Sequence, residues 1–239
     1  MHDTIKLNTG VKMIAHRGVS GLELENTCAA FVAAGNRSYY GVETDVHVTA
    51  DGEFIIIHDD DTGRVCAENM RVERTDYETL RSLQLRQKDG TPRTDLRMPS
   101  LAEYLSICKY YGKVCVLELK NPMEEDAVRR IIETCKKVYR LDQMVFISFS
   151  FLNMLYIRKY APNAKAQYLL AEQVTDAHID AMAENRLDLD VHYLAMSKGL
   201  LDKLHARGIQ VNCWTVDDPE VAERLAAWGV DYITSNILE

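Results

Sequence analysis

The sequence of 239 residues predicts an α/β fold, a (β/α)8 TIM barrel with a β-hairpin after strand 2 and a small insertion before the next parallel strand. Three observations carry this expectation. Nine short apolar runs alternate with stretches of helical period along nearly the whole chain, the pattern of a parallel sheet with crossover helices. One run follows its predecessor after only "ADG" (50–52), and a connection that short makes an antiparallel hairpin, which leaves eight parallel strands. The length suits one barrel of roughly 200 to 250 residues, so a single domain, 1–239, is expected.

The elements follow in order. "VKMIAH" (11–16) reads as the first strand, and "NTCAAFVAAG" (26–35) as a helix that Asn26 or Thr27 can cap. "GVETDV" (41–46) and "EFIIIH" (53–58) form the hairpin. The midpoint between Asp45 and His58 falls between Asp51 and Gly52, so the turn belongs there and His58 is expected beside Asp45. From 60 to 112 the chain is irregular, with "RQKDGTPRTDLRMPS" and two helical pieces, "DYETLRSL" and "SLAEYLSICKYYG". That is too long for a strand-to-helix loop, so 60–99 reads as an insertion over the catalytic face, followed by a helix. Then come "KVCVLEL" (113–119), "EEDAVRRIIETCKKVY" (124–139), "MVFISF" (144–149), "AKAQYLL" (164–170) and "LDLDVHY" (187–193). "IQVNCWTV" (209–216), "PEVAERLAAWG" (219–229), with Gly229 as its stop, and "DYITS" (231–235) complete the set. There is no internal repeat.

Composition excludes several classes. At 47% hydrophobic and 27% charged the chain can bury a core, and its net charge of −8 argues against a nucleic-acid partner, which needs clustered Lys and Arg. No apolar run approaches a membrane span, and the opening "MHDTIKLNTGVK" lacks a basic region followed by an apolar core. The six cysteines lie scattered, several of them inside apolar runs, with no CxxC pair, as in a reducing compartment; a cytoplasmic protein is expected. The oligomeric state is left open, a homo-oligomer included.

Barrel enzymes place their chemistry at the carboxyl ends of the strands. There the sequence puts His16 and Arg17, Glu43 and Asp45, His58, Glu118 and Lys120, Trp214 and Asp217. Glu43 and Asp45, and likewise Glu118 and Lys120, are two apart and share a face. Three converging carboxylates repel one another unless protonated or bound to a cation, and an all-oxygen set suits one divalent cation, Mg²⁺ or Ca²⁺. The plainer alternative is a salt-bridge network with Arg17 and Lys120; three acids with two histidines nearby favour the metal. Two histidines beside it suit a general acid and base, and the two cations an anion, which together describe phosphodiester cleavage. His178, His192 and His205 read as structural, and His47 lies beyond the rim with no assigned part.

"AHRG" with "ENT", then "ETDVHVTADG", "HD", "LELK", "WTVD" and the closing "GVDYITS" resemble the motifs of the glycerophosphodiester phosphodiesterase family, in order from about 13 to 235. The resemblance implies a barrel that hydrolyses glycerophosphodiesters to glycerol 3-phosphate and an alcohol, within glycerol and lipid metabolism. It implies that Glu43, Asp45 and Glu118 hold the metal and that His16 and His58 are acid and base. It further implies that Arg17 and Lys120 grip the phosphate and that Trp214 packs on the glycerol carbons. Two departures are Leu24, where the family often has Pro, and "YITSN", where it frequently reads "GIITD". The runner-up is a lysophospholipase D or sphingomyelinase D type of activity on a lipid, for which a long apolar rim would speak. Phe149, Phe151 and Leu152 are the candidates for it, although such residues more often enter the core at a helix start. A non-catalytic binding module and a barrel metalloenzyme acting on a carbonyl substrate rank lower, because both histidines are kept and His-rich ligation is absent.

Overall fold

The computed structural model describes residues 3–239. Nine strands follow in chain order: β1 (Lys12–Ala15), β2 (Gly41–Val48), β3 (Phe54–Ile56), β4 (Val114–Leu119), β5 (Met144–Ser148), β6 (Lys165–Leu170), β7 (Asp188–His192), β8 (Val211–Trp214) and β9 (Tyr232–Ser235). Each of the nine apolar runs forms a strand. All but β3 are parallel, and because β1 pairs with both β9 and β2, the eight close into a TIM barrel. Around it lie α1 (Cys28–Gly35), α2 (Tyr77–Ser82), α3 (Leu101–Tyr111), α4 (Glu125–Val138), α5 (Phe151–Tyr160), α6 (Asp176–Glu184), α7 (Lys198–Ala206) and α8 (Pro219–Trp228). Among the described residues no helix is long and apolar enough to cross a membrane.

Alternation along the strands sorts side chains into two cores. One face points to the barrel axis, where Ile14, Val114, Val116, Val145, Ile147, Leu169 and Tyr232 pack together. The other meets the helices, where Phe31, Val46, Leu117, Phe146 and Val191 belong to the largest buried cluster. Each such side chain contributes roughly 1.5–3 kcal/mol by leaving water. Thr27 caps α1 by accepting from the Ala30 N–H at 3.2 Å, and Gly229 ends α8 at φ 97°, a conformation that suits glycine.

The hairpin sets the shape of the barrel mouth. β2 is longer than its neighbours, and β1 pairs only with Gly41 and Val42. Since β4 holds the other edge of β2 from Gly41 to Val46, β3 occupies the edge that β1 leaves free, pairing with Val46–Val48. The register is one residue away from the expected one. Val46 faces Ile56, so Ile57, whose N–H reaches the Asp45 carbonyl at 3.1 Å, lies opposite Asp45, and His58 comes next. The physical reason is a turn that starts earlier: the Thr49 carbonyl accepts from the Gly52 N–H and its hydroxyl from the Glu53 N–H, with Gly52 at φ 81°. The irregular segment after the hairpin has an apolar cluster of its own, in which Val65, Val72, Leu80, Leu85 and Met98 pack on Ile55 and Ile57.

Tyr104 of α3 is fully buried and ties the helix to the sheet by donating to the Val42 carbonyl at 2.7 Å, its ring edge-on to Phe31 at 5.1 Å. Tyr104→Phe is expected to cost about 1–2 kcal/mol, read as a lower urea midpoint with an unchanged slope.

Candidate functional site

Register brings the acids together. On β2 and β4, Glu43 faces Val116 and Asp45 faces Glu118, so the three carboxylates gather at the barrel mouth, each with an oxygen within 4.8 Å of the others. All three are buried. Burial, then Asp45 and Glu118, push the Glu43 carboxyl well above its usual range, against the pull of Arg17. Burial and Asp45 likewise raise Glu118 to about 7, although Lys120 opposes them. Asp45 alone is held well below the ordinary value: its burial works in the other direction, but Lys120, His58 and Arg17 outweigh it, and Asn26 adds a hydrogen bond. Lys120 Nζ sits 2.7 Å from Glu118 and 3.6 Å from Asp45, and Arg17 Nε 3.7 Å from Asp45.

The salt-bridge network considered from sequence is therefore present, but two cations face three acids and leave two of those acids hard to ionise. A donor set of buried, clustered carboxylate oxygens with a deficit of positive charge fits a hard divalent ion. The Arg17 Nε is buried without a hydrogen bond, 3.7 Å from Asp45, while the Arg17 side chain lines the cavity.

The "HRG" and "ENT" motifs build one corner. After β1 the chain turns left-handed at Arg17 (φ 53°) and Gly18 (φ 74°), and a Cβ on Gly18 would lie 2.6 Å from Ala30. The Arg17 N–H donates to Glu43 at 2.8 Å. Glu25 accepts from the Arg17 guanidinium at 2.9 Å, and Asn26 donates to Asp45 at 2.8 Å while accepting from Thr44 at 2.7 Å. Every letter of "ENT" thus has its own contact: Glu25 holds Arg17, Asn26 holds Asp45, and Thr27 caps α1.

Both histidines are braced at Nδ1. His16 Nδ1 meets Asn236 Oδ1 at 2.7 Å, and Asn236 in turn donates to Asp217 at 2.6 Å, which fixes its amide orientation. His58 Nδ1 meets Asp59 at 2.6 Å; Arg64 grips Asp59 at 2.6 Å and Glu25 at 2.7 and 2.8 Å. With acceptors on both Nδ1 atoms, each ring keeps a proton there, so Nε2 is the nitrogen at which a proton can be taken up or given. Burial followed by the Arg17 charge lowers His16 to about 4, and burial lowers His58 as well.

One cavity of about 300 Å³ contains His16, Arg17, Glu43, His58, Glu118 and Lys120, together with Phe149, Asp190 and Trp214. Asp45, the remaining candidate, is not among the lining residues but belongs to the acid cluster. A second cleft, about 540 Å³, continues from His16 and Arg17 towards Lys88 and Asp217. His47 is outside the cavity: its Nε2 reaches the His58 carbonyl at 3.3 Å and supports the backbone there. His178 closes the capping box of α6, His205 pairs with Asp231 at 3.0 Å, and His192 packs edge-on to Trp214 at 5.2 Å.

Sequence reasoning did not find Glu25, Asn236, Asp59, Arg64 or Asp190. Glu25 and Asp59 stand inside the quoted motifs "ENT" and "HD" without an assigned role, Asp190 was marked by strand alternation, and Asn236 and Arg64 carried no local signal. Phe151 packs on Tyr168 as a core residue would, whereas Phe149 and Leu152 are each 46% exposed, with Phe149 edge-on to Trp214 at 5.9 Å.

The sequence model of the glycerophosphoryl diester phosphodiesterase family matches residues 16–238. A glycerophosphodiester phosphodiesterase of Caldanaerobacter subterraneus subsp. tengcongensis is 28% identical over 231 residues, 94% of this chain and 93% of the relative. Among solved structures, an Oleispira antarctica phosphodiesterase in complex with the product sn-glycerol-3-phosphate superposes with a TM-score of 0.87 at 26% identity, covering 95% of this chain and 93% of the other. A glycerophosphodiester phosphodiesterase from Parabacteroides distasonis gives 0.81 at 27%, with the same coverage of 95% and 93%.

The unfolded chain binds the His16 proton at the ordinary value of 6.5, the folded chain only near 4. The folded state therefore binds fewer protons in that window, and stability falls as pH drops from 6.5 towards 4. In the metal-free protein, imidazole NMR should find the His16 midpoint near 4; a midpoint at 6.5 contradicts the buried, Arg17-flanked placement.

Proposed function

Because the chain belongs to the glycerophosphoryl diester phosphodiesterase family, we propose that it hydrolyses glycerophosphodiesters to glycerol 3-phosphate and an alcohol, with His16 and His58 as general acid and base beside a divalent-cation site. The observation that carries this reading is one cavity holding two histidines, each braced at Nδ1, opposite three clustered carboxylates and two cations.

Arg17 and Lys120, both lining the cavity, draw the phosphodiester oxygens into it. Glu43, Asp45 and Glu118 would hold one divalent cation, Mg²⁺ or Ca²⁺, which when bound would neutralise charge building on the phosphoryl oxygens. The Nε2 of one histidine removes a proton from the attacking hydroxyl, of water or of the glycerol itself. As the new P–O bond forms and the bond to the alcohol breaks, the other histidine, doubly protonated at the outset, gives its Nε2 proton to the departing oxygen; a cyclic phosphate formed by the glycerol hydroxyl is then opened by water to glycerol 3-phosphate. Trp214 gives the glycerol carbons an apolar wall, and the cleft towards Lys88 has room for the alcohol.

The six free cysteines, five of them buried, support a reducing, cytoplasmic setting. We read 60–99 as an embellishment of a single barrel domain. A second reading, a phosphodiesterase acting on a lipid, draws support from the half-exposed Phe149 and Leu152 and from Leu194, 75% exposed.

The test is release of glycerol 3-phosphate from a panel of small glycerophosphodiesters and one lysophospholipid, with Mg²⁺, Ca²⁺ or EDTA. Release from the small diesters, abolished by EDTA, is expected; activity confined to the lipid promotes the second reading. His16→Ala and His58→Ala should each lose roughly 10²- to 10⁴-fold in kcat with metal binding kept, whereas Glu43→Ala should weaken the metal itself. Equal turnover in all three variants and the parent overturns the assignment.

A further inference from the structure

The groove that leaves the cavity ends on positive charge that no carboxylate answers. The cleft of about 540 Å³ beyond His16 and Arg17 runs into a further one of about 350 Å³, and the two share Ser20, Gly21, Glu25 and Lys88 as walls. The outer cleft is lined by four cations, Arg64, Arg86, Lys88 and Arg93, and by two acids, Glu23 and Glu25. Both acids are already matched. Glu23 lies 3.2 Å from Arg93, which also meets Asp95, and Glu25 lies 2.9 Å from Arg17 and 2.7 Å from Arg64, which also meets Asp59. Asp217, the acid that belongs to the inner cleft alone, accepts from the Ser235 hydroxyl at 2.9 Å and from the Asn236 amide at 2.6 Å. Arg86 and Lys88 remain: neither forms an ion pair among the described residues, and Arg86 spends one N–H on the Gly63 carbonyl at 2.8 Å.

Local structure holds this pair at the groove. The Gln87 N–H donates to the Thr91 carbonyl and the Gly90 N–H to the Gln87 carbonyl, each at 2.9 Å, with Gly90 at φ 86°, so "QKDGT" (87–91) closes a tight turn. Arg86 bridges to Pro92 at its base, and Leu85, next to it, is anchored in the apolar cluster of the irregular segment. Asp89 turns its carboxylate to the Thr91 N–H at 2.9 Å rather than to Lys88. Cations left uncompensated along a groove attract anions and raise their local concentration. The phosphodiester itself falls to Arg17 and Lys120 in the mechanism above, so the anion that can use Arg86 and Lys88 is a second one. A quaternary ammonium would meet like charge there, and neither cleft offers it a Phe, Tyr or Trp wall. A neutral alcohol would gain nothing from the pair.

We propose that Arg86 and Lys88 form an outer anion subsite, which makes the enzyme favour glycerophosphodiesters whose alcohol half carries a further negative charge, such as a phosphate monoester. The proposal rests on the function proposed above. It places the choice of substrate on the alcohol side of the scissile phosphate and gives it to the irregular segment, which supplies both cations. The barrel mouth recognises the diester, and the segment recognises what departs from it.

The experiment is release of glycerol 3-phosphate from its esters with three two-carbon alcohols that differ only in their far end, a phosphate monoester, a hydroxyl or the trimethylammonium of choline. The kcat/KM of each is measured at low ionic strength in Mg²⁺ for the parent, Lys88→Glu and Arg86→Gln. The parent should favour the phosphate-bearing ester over the hydroxyl ester by about tenfold, the size of two exposed charge contacts, with the difference in KM. That preference should vanish in about 1 M salt, where charges are screened beyond roughly 3 Å. Lys88→Glu should cut it to under about twofold and Arg86→Gln to about threefold, each leaving the hydroxyl ester within about twofold of the parent. Lys88 is exposed, so its replacement disturbs no packing. A parent indifferent to the charge of the alcohol overturns the proposal, as does a preference kept in both variants or an equal loss on all three esters. Turnover of the hydroxyl ester tests the underlying function separately: an active but indifferent enzyme refutes only the subsite, whereas no release from any ester refutes both.

Discussion

Repulsion among three buried carboxylates is the constraint around which this molecule is organised. Two unit charges about 4 Å apart at a protein surface cost on the order of 4 kcal/mol, a large share of the roughly 5–15 kcal/mol by which a domain is stable. Glu43, Asp45 and Glu118 stand within such distances, and the surrounding chain is built to tolerate them. Arg17 and Lys120 approach from the strand ends, the Arg17 N–H and the Asn26 amide occupy individual oxygens, and the acids nevertheless remain short of positive charge. A barrel mouth is a suitable place for such a deficit. Eight closed strands hold the backbone rigid, so the side chains cannot relax apart.

Much of this was legible in the sequence because strand alternation is a strict rule. "ETD" and "LELK" state that their charged residues share faces, and the short "ADG" link between two strand-like runs forces a hairpin. The one-residue register difference shows the limit. A midpoint between two residues assumes a symmetric turn, while the Thr49 hydroxyl, by bonding Glu53, closes the turn early and puts Ile57 rather than His58 opposite Asp45. The braces were illegible for another reason. Asn236 lies 220 positions from the His16 it orients and Arg64 lies 39 from Glu25, and neither pair has any local pattern to betray it. Asp190 was hidden in plain view: "LDLDVHY" alternates, but only the closed barrel reveals that its polar side, not its apolar one, faces inward.

The histidine braces also explain why the motifs are longer than the chemistry demands. The three residues of "ENT" each support the site from outside it: one fixes a guanidinium, one a carboxylate and one caps the helix that follows. Such supporting bonds keep a site within the fraction of an ångström that proton transfer requires. The apolar rim of Phe149 and Leu152 stands apart from this polar frame, so the two sides of the entrance differ in character.

Arg64 joins two parts of the site. It comes from the irregular segment, yet it clasps both Asp59, which steadies His58, and Glu25, which steadies Arg17. The proposed proton carrier and the proposed anion grip thereby share a single keystone. Replacing the segment with a loop of different ancestry, whether by domain shuffling or by engineering, would unseat the two together, and this ornament of the barrel is therefore the part least free to be exchanged.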